Sequence, residues 1–542
     1  MKEHCLREEK KVPILADLKM YGRFMWQLRS FFKHTLTLAE AKRVVKRRME
    51  EREDNFLRLV RKGIYGYFKS PYLPLLKLAG CEYGDLERLV KEKGLEQTLY
   101  TLREAGVYVT FEEFKGREPI LRNNKTIPVK PHQFDNPYLR RCYEGETGGT
   151  TGAGTRVGMD LDHLAAQASF LMLALEPFGV LSSPSAIWYG VPPDLTGFNS
   201  IFRFARLGKP PEKWFLPITQ KEIHQSFKNR MATQCLIHMG RLFGYPIPRL
   251  EPVPLNQAMF IARWADENIK THGSCFITTH VSQALRICLA AQEGKINLKG
   301  ATIMGSGEQP TETKVKKILQ TGVHFIPSYN FVETGFVAVG CTQPLDINDL
   351  HLFKDSLALI TYPRQIPGGD VTVPAFHFTS LLPTAPKLML NVESDDYGLI
   401  ESRRCGCPME AYGYTEHLRQ IHSFRKLTGE GVTLVGSEMI YILEEVLPKR
   451  FGGTPLDYQL IEEEDEKGFT HLSLIVHPRI EIKDEGEVIK TILEGLGHSS
   501  DAANLARIIW DQAKTLRVKR EEPISTARGK LMPLHLSRTF KS

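Results

Sequence analysis

Ala301-Thr302-Ile303-Met304-Gly305-Ser306-Gly307-Glu308-Gln309-Pro310 opens the stretch from which the fold is read. It continues through Glu312–Gln320 to His324-Phe325-Ile326-Pro327-Ser328-Tyr329-Asn330-Phe331-Val332-Glu333-Thr334-Gly335. Ala301–Met304 is short, mostly apolar and followed by a Gly-rich turn, which reads as a strand. Glu312–Gln320 carries its apolar residues at helical spacing, and His324–Pro327 is a second short apolar strand. Upstream, Gln283–Glu293 reads as another helix. Short β-like runs alternating with helices extend from about Leu139 to His422 and predict an α/β layered domain.

Outward from that centre the pattern changes at both ends. About the first 130 residues read as helical. Thr37-Leu38-Ala39-Glu40 is a capping box ahead of a long helix running towards Lys62. The basic cluster Lys42, Arg43, Lys46, Arg47, Arg48 is followed at once by Glu50, Glu51, Glu53 and Asp54, a mixed-sign run expected of a solvated helix face rather than a nucleic-acid surface. After Gly436 the order is helix (Glu438–Leu447), strand (Asp457–Ile461), strand (His471–His477), helix (Glu487–Leu496), a compact α+β module. Its acidic run Glu462–Lys467 reads as a hairpin loop. The expected organisation is therefore a large layered α/β domain over 1–421, beginning with a helical lead-in over 1–130, and a smaller α+β lid over 422–542.

Composition excludes several classes. The chain has 542 residues, 25% charged and 42% hydrophobic, as an ordinary globular protein does. The longest apolar stretch, around Phe170–Val180, is broken by Glu176 and Pro177 and is too short to cross a bilayer. Met1-Lys2-Glu3-His4 is charged with no apolar signal region, so a cytoplasmic location is expected, without membrane association. Nine cysteines without scaffold spacing read as thiols or metal ligands. The net charge of +8 favours the approach of anionic substrates but does not point to nucleic acid.

Four motifs carry chemistry. Thr147-Gly148-Gly149-Thr150-Thr151-Gly152-Ala153-Gly154-Thr155-Arg156 has a backbone free to fold round phosphate, with hydroxyls as extra donors. It lacks the Gly-Lys-Ser/Thr ending of a P-loop, and the same letters suit a flexible surface loop. Gly305–Pro310 lets a flat ligand approach the backbone, although turns after strands are commonly Gly-rich. Ser328–Gly335 offers an aromatic face at Tyr329 and, four residues on, the Glu333 carboxylate, hard enough for magnesium. A buried Tyr and a surface Glu would explain those letters too. Ser525-Thr526-Ala527-Arg528-Gly529-Lys530 lies close to the C-terminus, where a lysine is normally a solvated charge.

Taken in order, these motifs resemble those of the adenylate-forming enzymes, which activate carboxylic acids as acyl-AMP. The resemblance is to the phenylacetate–CoA ligase branch and the related acyl-protein synthetases. It covers nearly the whole chain, including Phe56–Ala79 with Ser70-Pro71-Tyr72. It implies that Thr147, Gly149, Thr150, Thr151 and Gly152 hold the pyrophosphate part of ATP. Gly307 and Glu308 would border the adenine, on which Tyr329 would stack. Glu333 would bind magnesium, Asp396 would grip the ribose hydroxyls, and Lys530 would reach in from the lid. The implied reaction is adenylation followed by transfer to a thiol, with CoA as acceptor. Transfer to a carrier protein, a protein cysteine or an amine, and a non-catalytic adenylate-binding relative, stay open, as does a homodimer.

The sequence departs from the family pattern at Val332, at Asn330 and at the hinge, where His422-Ser423-Phe424-Arg425 replaces Arg-x-Asp-Asp. Phe424 in place of the hinge Asp bears on the second half-reaction more than on the first. Separately, Cys405-Gly406-Cys407 with Cys341 and His351 would complete a tetrahedral zinc site, structural because no ligand position stays open. Buried free thiols are the alternative, and some relatives of the phenylacetate–CoA ligase branch show a similar set. Trp188, Tyr189, Phe198 and Phe202 fall where an acyl pocket is expected and suggest an aromatic or apolar acid. Aromatics at such spacing more often belong to a core.

Overall fold

The computed structural model describes residues 22, 26–139, 143–146, 156–192, 194–218, 227–365, 372–423, 426–429, 432–435, 437–497, 501–524 and 534–536. A twelve-stranded mixed sheet organises it. In chain order its strands are β1 (Ser185–Trp188), β2 (Lys213–Leu216), β3 (Leu250–Pro252), β4 (Cys275–His280), β5 (Ala301–Ser306) and β6 (His324–Phe331). They are followed by β7 (Gly335–Gly340), β8 (Leu350–Leu352), β9 (Leu357–Gln365), β10 (Thr372–Ser380), β11 (Val392–Ser402) and β12 (Glu416–Ser423). The spatial order is β9-β10-β11-β12-β8-β7-β6-β5-β4-β1-β2-β3.

The half from β3 to β6 is parallel throughout. Its central strands are apolar runs buried along their length, as expected where helices cover both faces. The expected helices are present: Val281–Glu293 connects β4 to β5, and Glu312–Leu319 connects β5 to β6, with Thr311 capping the latter. From β6 to β9 every pairing is antiparallel. Here the alternation expected up to His422 fails. Among the described residues no α-helix occurs between Leu319 and Ser437. Antiparallel strands need no crossover, so hairpins replace helices.

β6 joins the halves. His324–Pro327 pairs parallel with Thr302–Gly305, whereas Ser328–Phe331 pairs antiparallel with β7, with a bulge between Tyr329 and Asn330. The strand expected over His324–Pro327 therefore continues through Phe331.

From Phe56 on, the helical lead-in covers the antiparallel half. Thr37 and Glu40 form the expected capping box on helix Leu38–Glu50, and the long helix is interrupted at Glu51 before continuing as Arg52–Val60. Phe56, Tyr72, Leu99 and Phe134 share one core with Leu359, Phe376 and Leu418 of the sheet. Asn391, in the left-handed region at φ 49°, donates through its amide to the carbonyls of Leu99 (2.8 Å) and Val107 (3.1 Å). Val109 bridges to Val392. These contacts bring the next turn of chain, Phe111–Lys115, to the crossover strand.

After Ser437 a second, four-stranded sheet forms: β13 (Tyr458–Glu464), β14 (Thr470–Val476), β15 (Leu516–Lys519) and β16 (Leu534–Leu536), in the order β15-β14-β13-β16. Helices Glu485–Gly497 and Asp501–Ala513 accompany it. The acidic run is only partly loop, because Glu462–Glu464 belong to β13 and the turn begins at Asp465.

Candidate active site

The carboxyl ends of parallel strands, at a point where strand direction reverses, form the usual ligand crevice of open α/β sheets. β1, β4, β5 and β6 end there. Tyr189, just past β1, donates its hydroxyl to the Thr279 carbonyl at 3.0 Å and lies 3.3 Å from Ser306 Oγ, which ends β5. The His280 ring meets Tyr189 edge-on with centroids 5.1 Å apart.

On the other side of the reversal, Tyr329 Oη donates to Asp396 Oδ2 at 2.7 Å. The register of β11 and β12 sets Asp396 opposite Ser423, whose hydroxyl donates to the other carboxylate oxygen. Burial and the neighbouring Asp396 charge hold the Tyr329 hydroxyl well above its ordinary pKa, so it remains a donor. Four positions after Tyr329, Glu333 is buried, with Lys115 Nζ 2.5 Å from Oε1. Burial alone would raise the Glu333 pKa, but the Lys115 ammonium outweighs it and holds the carboxyl below its usual range. A buried, ionised carboxylate already facing a cation fits magnesium, which commonly takes one or two carboxylates alongside phosphates and water.

Gly307 has φ 82°, a conformation that glycine adopts without strain. The Glu308 side chain is engaged within the protein: Oε1 accepts from the Ser282 amide at 2.7 Å, and Oε2 accepts from Ser282 Oγ and Lys314 Nζ, each at 2.8 Å. It thus anchors the first turn of helix Val281–Glu293, where a negative charge is favourable. Lys314 also donates to Thr470 Oγ1 of β14 at 2.9 Å, so one buried ammonium ties the turn after β5 to the second sheet. Gln309 reaches His422 of β12, with 3.0 Å between Nε2 and Nδ1.

The sulfur and nitrogen donors of Cys341, His351, Cys405 and Cys407 all lie within 4.8 Å of one another. His351 Nε2 is 2.9 Å from Cys407 Sγ and 3.7 Å from Cys405 Sγ. His351 Nδ1 lies 2.8 Å from the Tyr414 carbonyl, which can only accept, so Nδ1 carries the proton and Nε2 presents its lone pair. Backbone amides donate to sulfur: Gln343 N to Cys341 at 3.2 Å and Cys407 N to Cys405 at 3.4 Å. A tetrahedral zinc centre requires donor separations of roughly 3.3–3.8 Å, so this set fits it with small side-chain adjustments. Behind it the His417 ring packs on His351, with centroids 4.2 Å apart, and is held by Asp349 at 2.5 Å.

The expected pocket aromatics divide. Trp188 is fully buried, with its indole N–H on the Val253 carbonyl at 3.1 Å. Phe198 packs edge-on against Trp214, and Phe202 against Phe31. These three are core side chains, because β1 and helix Thr196–Arg206 are covered on the faces that carry them. Of the set, Tyr189 alone reaches the strand ends. Thr147, Gly149, Thr150, Thr151, Gly152, Phe424 and Lys530 lie outside the described residues. Sequence reasoning missed Lys115, Lys314 and Ser423: Lys115 and Ser423 meet carboxylates 218 and 27 residues away, and Lys314 joins Glu308, six residues before it, to the distant Thr470.

No protein-family model matches the sequence, and no curated protein matches it. Solved structures do. A 2-hydroxyisobutyryl-CoA ligase, in complex with 2-HIB-AMP and CoA in the thioesterification state, superposes with a TM-score of 0.51 at 16% identity, over 93% of this chain and 91% of that one. Weaker likenesses are to an amide bond synthetase from Marinactinospora thermotolerans (TM-score 0.40, 10% identity, 89% of this chain and 92% of that one). An anthranilate CoA ligase in complex with anthranoyl-AMP gives a TM-score of 0.35 at 11% identity, over 85% of this chain and 89% of that one. The likeness is one of fold: this chain shares with the 2-hydroxyisobutyryl-CoA ligase a mixed α/β architecture with a large N-terminal and a small C-terminal part. No described helix is long and apolar enough to cross a membrane.

Proposed function

We propose that the chain activates a carboxylic acid with ATP, forming an acyl-AMP and releasing pyrophosphate, and then passes the acyl group to a thiol, with CoA as the acceptor. The observation that carries this reading is the linked set Tyr329–Asp396–Ser423 beside Glu333, at the strand reversal. A carboxylate held by two hydroxyls keeps lone pairs for a ribose, and the Tyr329 ring offers a face for adenine. The fold shared with a ligase whose acyl-AMP and CoA complex is known agrees with it.

In the first step a carboxylate oxygen attacks the α-phosphorus and the bond to pyrophosphate breaks. Anion meets anion, so positioned positive charge lowers the barrier. Magnesium, when bound, would supply part of that charge, with Glu333 as its protein ligand. Lys530 would supply another part from the lid over 422–542, while the Thr147–Gly152 loop would hold the leaving pyrophosphate. In the second step a thiolate attacks the acyl carbon and AMP departs. The Cys341, His351, Cys405 and Cys407 set would hold zinc away from this chemistry, tying β7 and β8 to the segment between β11 and β12. An aromatic or apolar acid, as in the phenylacetate–CoA ligase branch, is the substrate class proposed, with Tyr189 beside it at the strand ends.

AMP formation measured with a panel of acids, with and without CoA, tests the reading. AMP release that requires both acid and CoA supports it. AMP release with acid and an amine or carrier-protein thiol, but not CoA, would move the acceptor. ATP binding with no acid-dependent turnover in any combination would favour a non-catalytic adenylate binder.

A further inference from the structure

Lys115 is a charged side chain in the crevice for which the adenylation reading provides no role. It follows the short helix Phe111–Phe114, capped by Thr110, and lies 218 residues before the glutamate it contacts. Lys115 and Glu333 are both nearly enclosed, with side-chain exposures of 12% and 8%. A second pair lies close by: Lys387 Nζ is 2.7 Å from Asp135 Oδ1 and 2.9 Å from the Pro131 carbonyl, near enough for its charge to bear on Glu333 and Lys115. Two ammonium groups therefore stand against two carboxylates in this part of the protein.

We infer that Lys115 is a second cation of the nucleotide site, one that exchanges its pairing with Glu333 for the phosphates when magnesium and ATP bind together. This rests on the adenylate-forming reading, in which Glu333 meets magnesium. The balance of charge carries it. A divalent cation joining Glu333 in this enclosure leaves excess positive charge unless anions come with it, and the triphosphate brings them. The ammonium displaced from Glu333 then finds a phosphate oxygen within reach of its flexible stem. The backbone need not move, because the bridge between Val109 and Val392 fixes the segment to β11. A rigid strut is the opposing account. In it, Lys115 never leaves Glu333 and contributes nothing to nucleotide binding.

The two accounts separate in the full-length protein when Glu333 has already been neutralised. Dissociation constants for ATP with manganese would be measured calorimetrically for wild type, Glu333→Gln, Lys115→Met and the double variant, which leaves no unpaired buried charge from this pair. Manganese alone would be titrated by electron paramagnetic resonance. The double variant should bind nucleotide about ten-fold more weakly than Glu333→Gln alone, the scale of one lost charge-assisted hydrogen bond. Lys115→Met should bind manganese alone more tightly than wild type, since the competing ammonium is gone. Equal nucleotide affinity in the double variant and Glu333→Gln would overturn the inference. If instead Glu333→Gln leaves manganese-dependent binding intact while the double variant is weakened, the metal role of Glu333 fails and Lys115 stands as a phosphate cation.

Discussion

The thiol–imidazole cluster and the crevice proposed for the nucleotide sit on neighbouring strands but are built on opposite plans. In the cluster, four donor groups converge on one another within 4.8 Å, and the histidine is oriented by a backbone carbonyl. In the crevice the groups come from separate segments: Tyr329 and Glu333 at the strand reversal, Asp396 and Ser423 across a register pair, Lys115 from the helical lead-in. A site that holds the chain together gains from closure. A site that must admit and release a ligand keeps its charges on partners that can be exchanged.

Variants in the two regions should therefore fail differently. The largest effect is expected in the cluster. His351→Ala should abolish stoichiometric metal content, measured by mass spectrometry, and lower thermal stability. A ligand bound only by the folded state, at roughly 1,000 times its Kd, stabilises by about 4 kcal/mol. Nucleotide affinity of whatever remains folded should change little. Stability unaffected by either the variant or a chelator would break the contrast.

Glu308→Gln is next. It leaves the buried Lys314 ammonium without a counter-charge, which typically costs about 3–5 kcal/mol, read by denaturant unfolding. The sign of its pH dependence is fixed. Burial raises the Glu308 pKa, but Lys314 and Ser282 outweigh this and lower it in the folded state. Its stabilisation is thus full above the unfolded value, about 4.3, and is lost as pH falls through the lower folded value. The difference between wild type and Glu308→Gln should be constant near neutrality and shrink below about pH 4.3.

Asp396→Ala should weaken ATP binding by about 10- to 100-fold, as expected when hydrogen bonds to a charged acceptor are lost. It should leave the metal content of the cluster unchanged. The smallest effect is expected of Tyr329→Phe. It keeps the ring for stacking and removes one hydrogen bond, about 1 kcal/mol or roughly five-fold in affinity. An equal loss from both variants would mean that the Tyr329–Asp396 hydrogen bond, rather than the carboxylate's own contact with the nucleotide, carries binding.

The same difference explains what the sequence reveals. Cys341, His351, Cys405 and Cys407 are legible because the residue types are themselves the chemistry. The parallel half is legible because strand and helix periodicities alternate around Ala301–Met304 and Glu312–Gln320. The antiparallel half is harder to read: β9 and β11 are mostly buried at one end and only partly exposed at the other, so no single period runs through either strand. Lys115 stands among Glu112, Glu113 and Arg117 and reads as a surface charge. Its role depends on a partner that only the packing of the lead-in against the sheet supplies. Glu308 is half legible: its place in a Gly-rich turn is plain in the sequence, whereas the contacts of its side chain with Lys314 and Ser282 are not.

The central claim, adenylation of a carboxylic acid, is tested most directly by ATP–pyrophosphate exchange with a panel of acids, comparing wild type with Lys530→Ala. The account predicts exchange that depends on one class of acid and falls by at least about 100-fold in the variant, as expected when a transition-state cation is lost. Wild-type protein that binds ATP but shows no exchange with any acid, or exchange that survives loss of Lys530 undiminished, would contradict it.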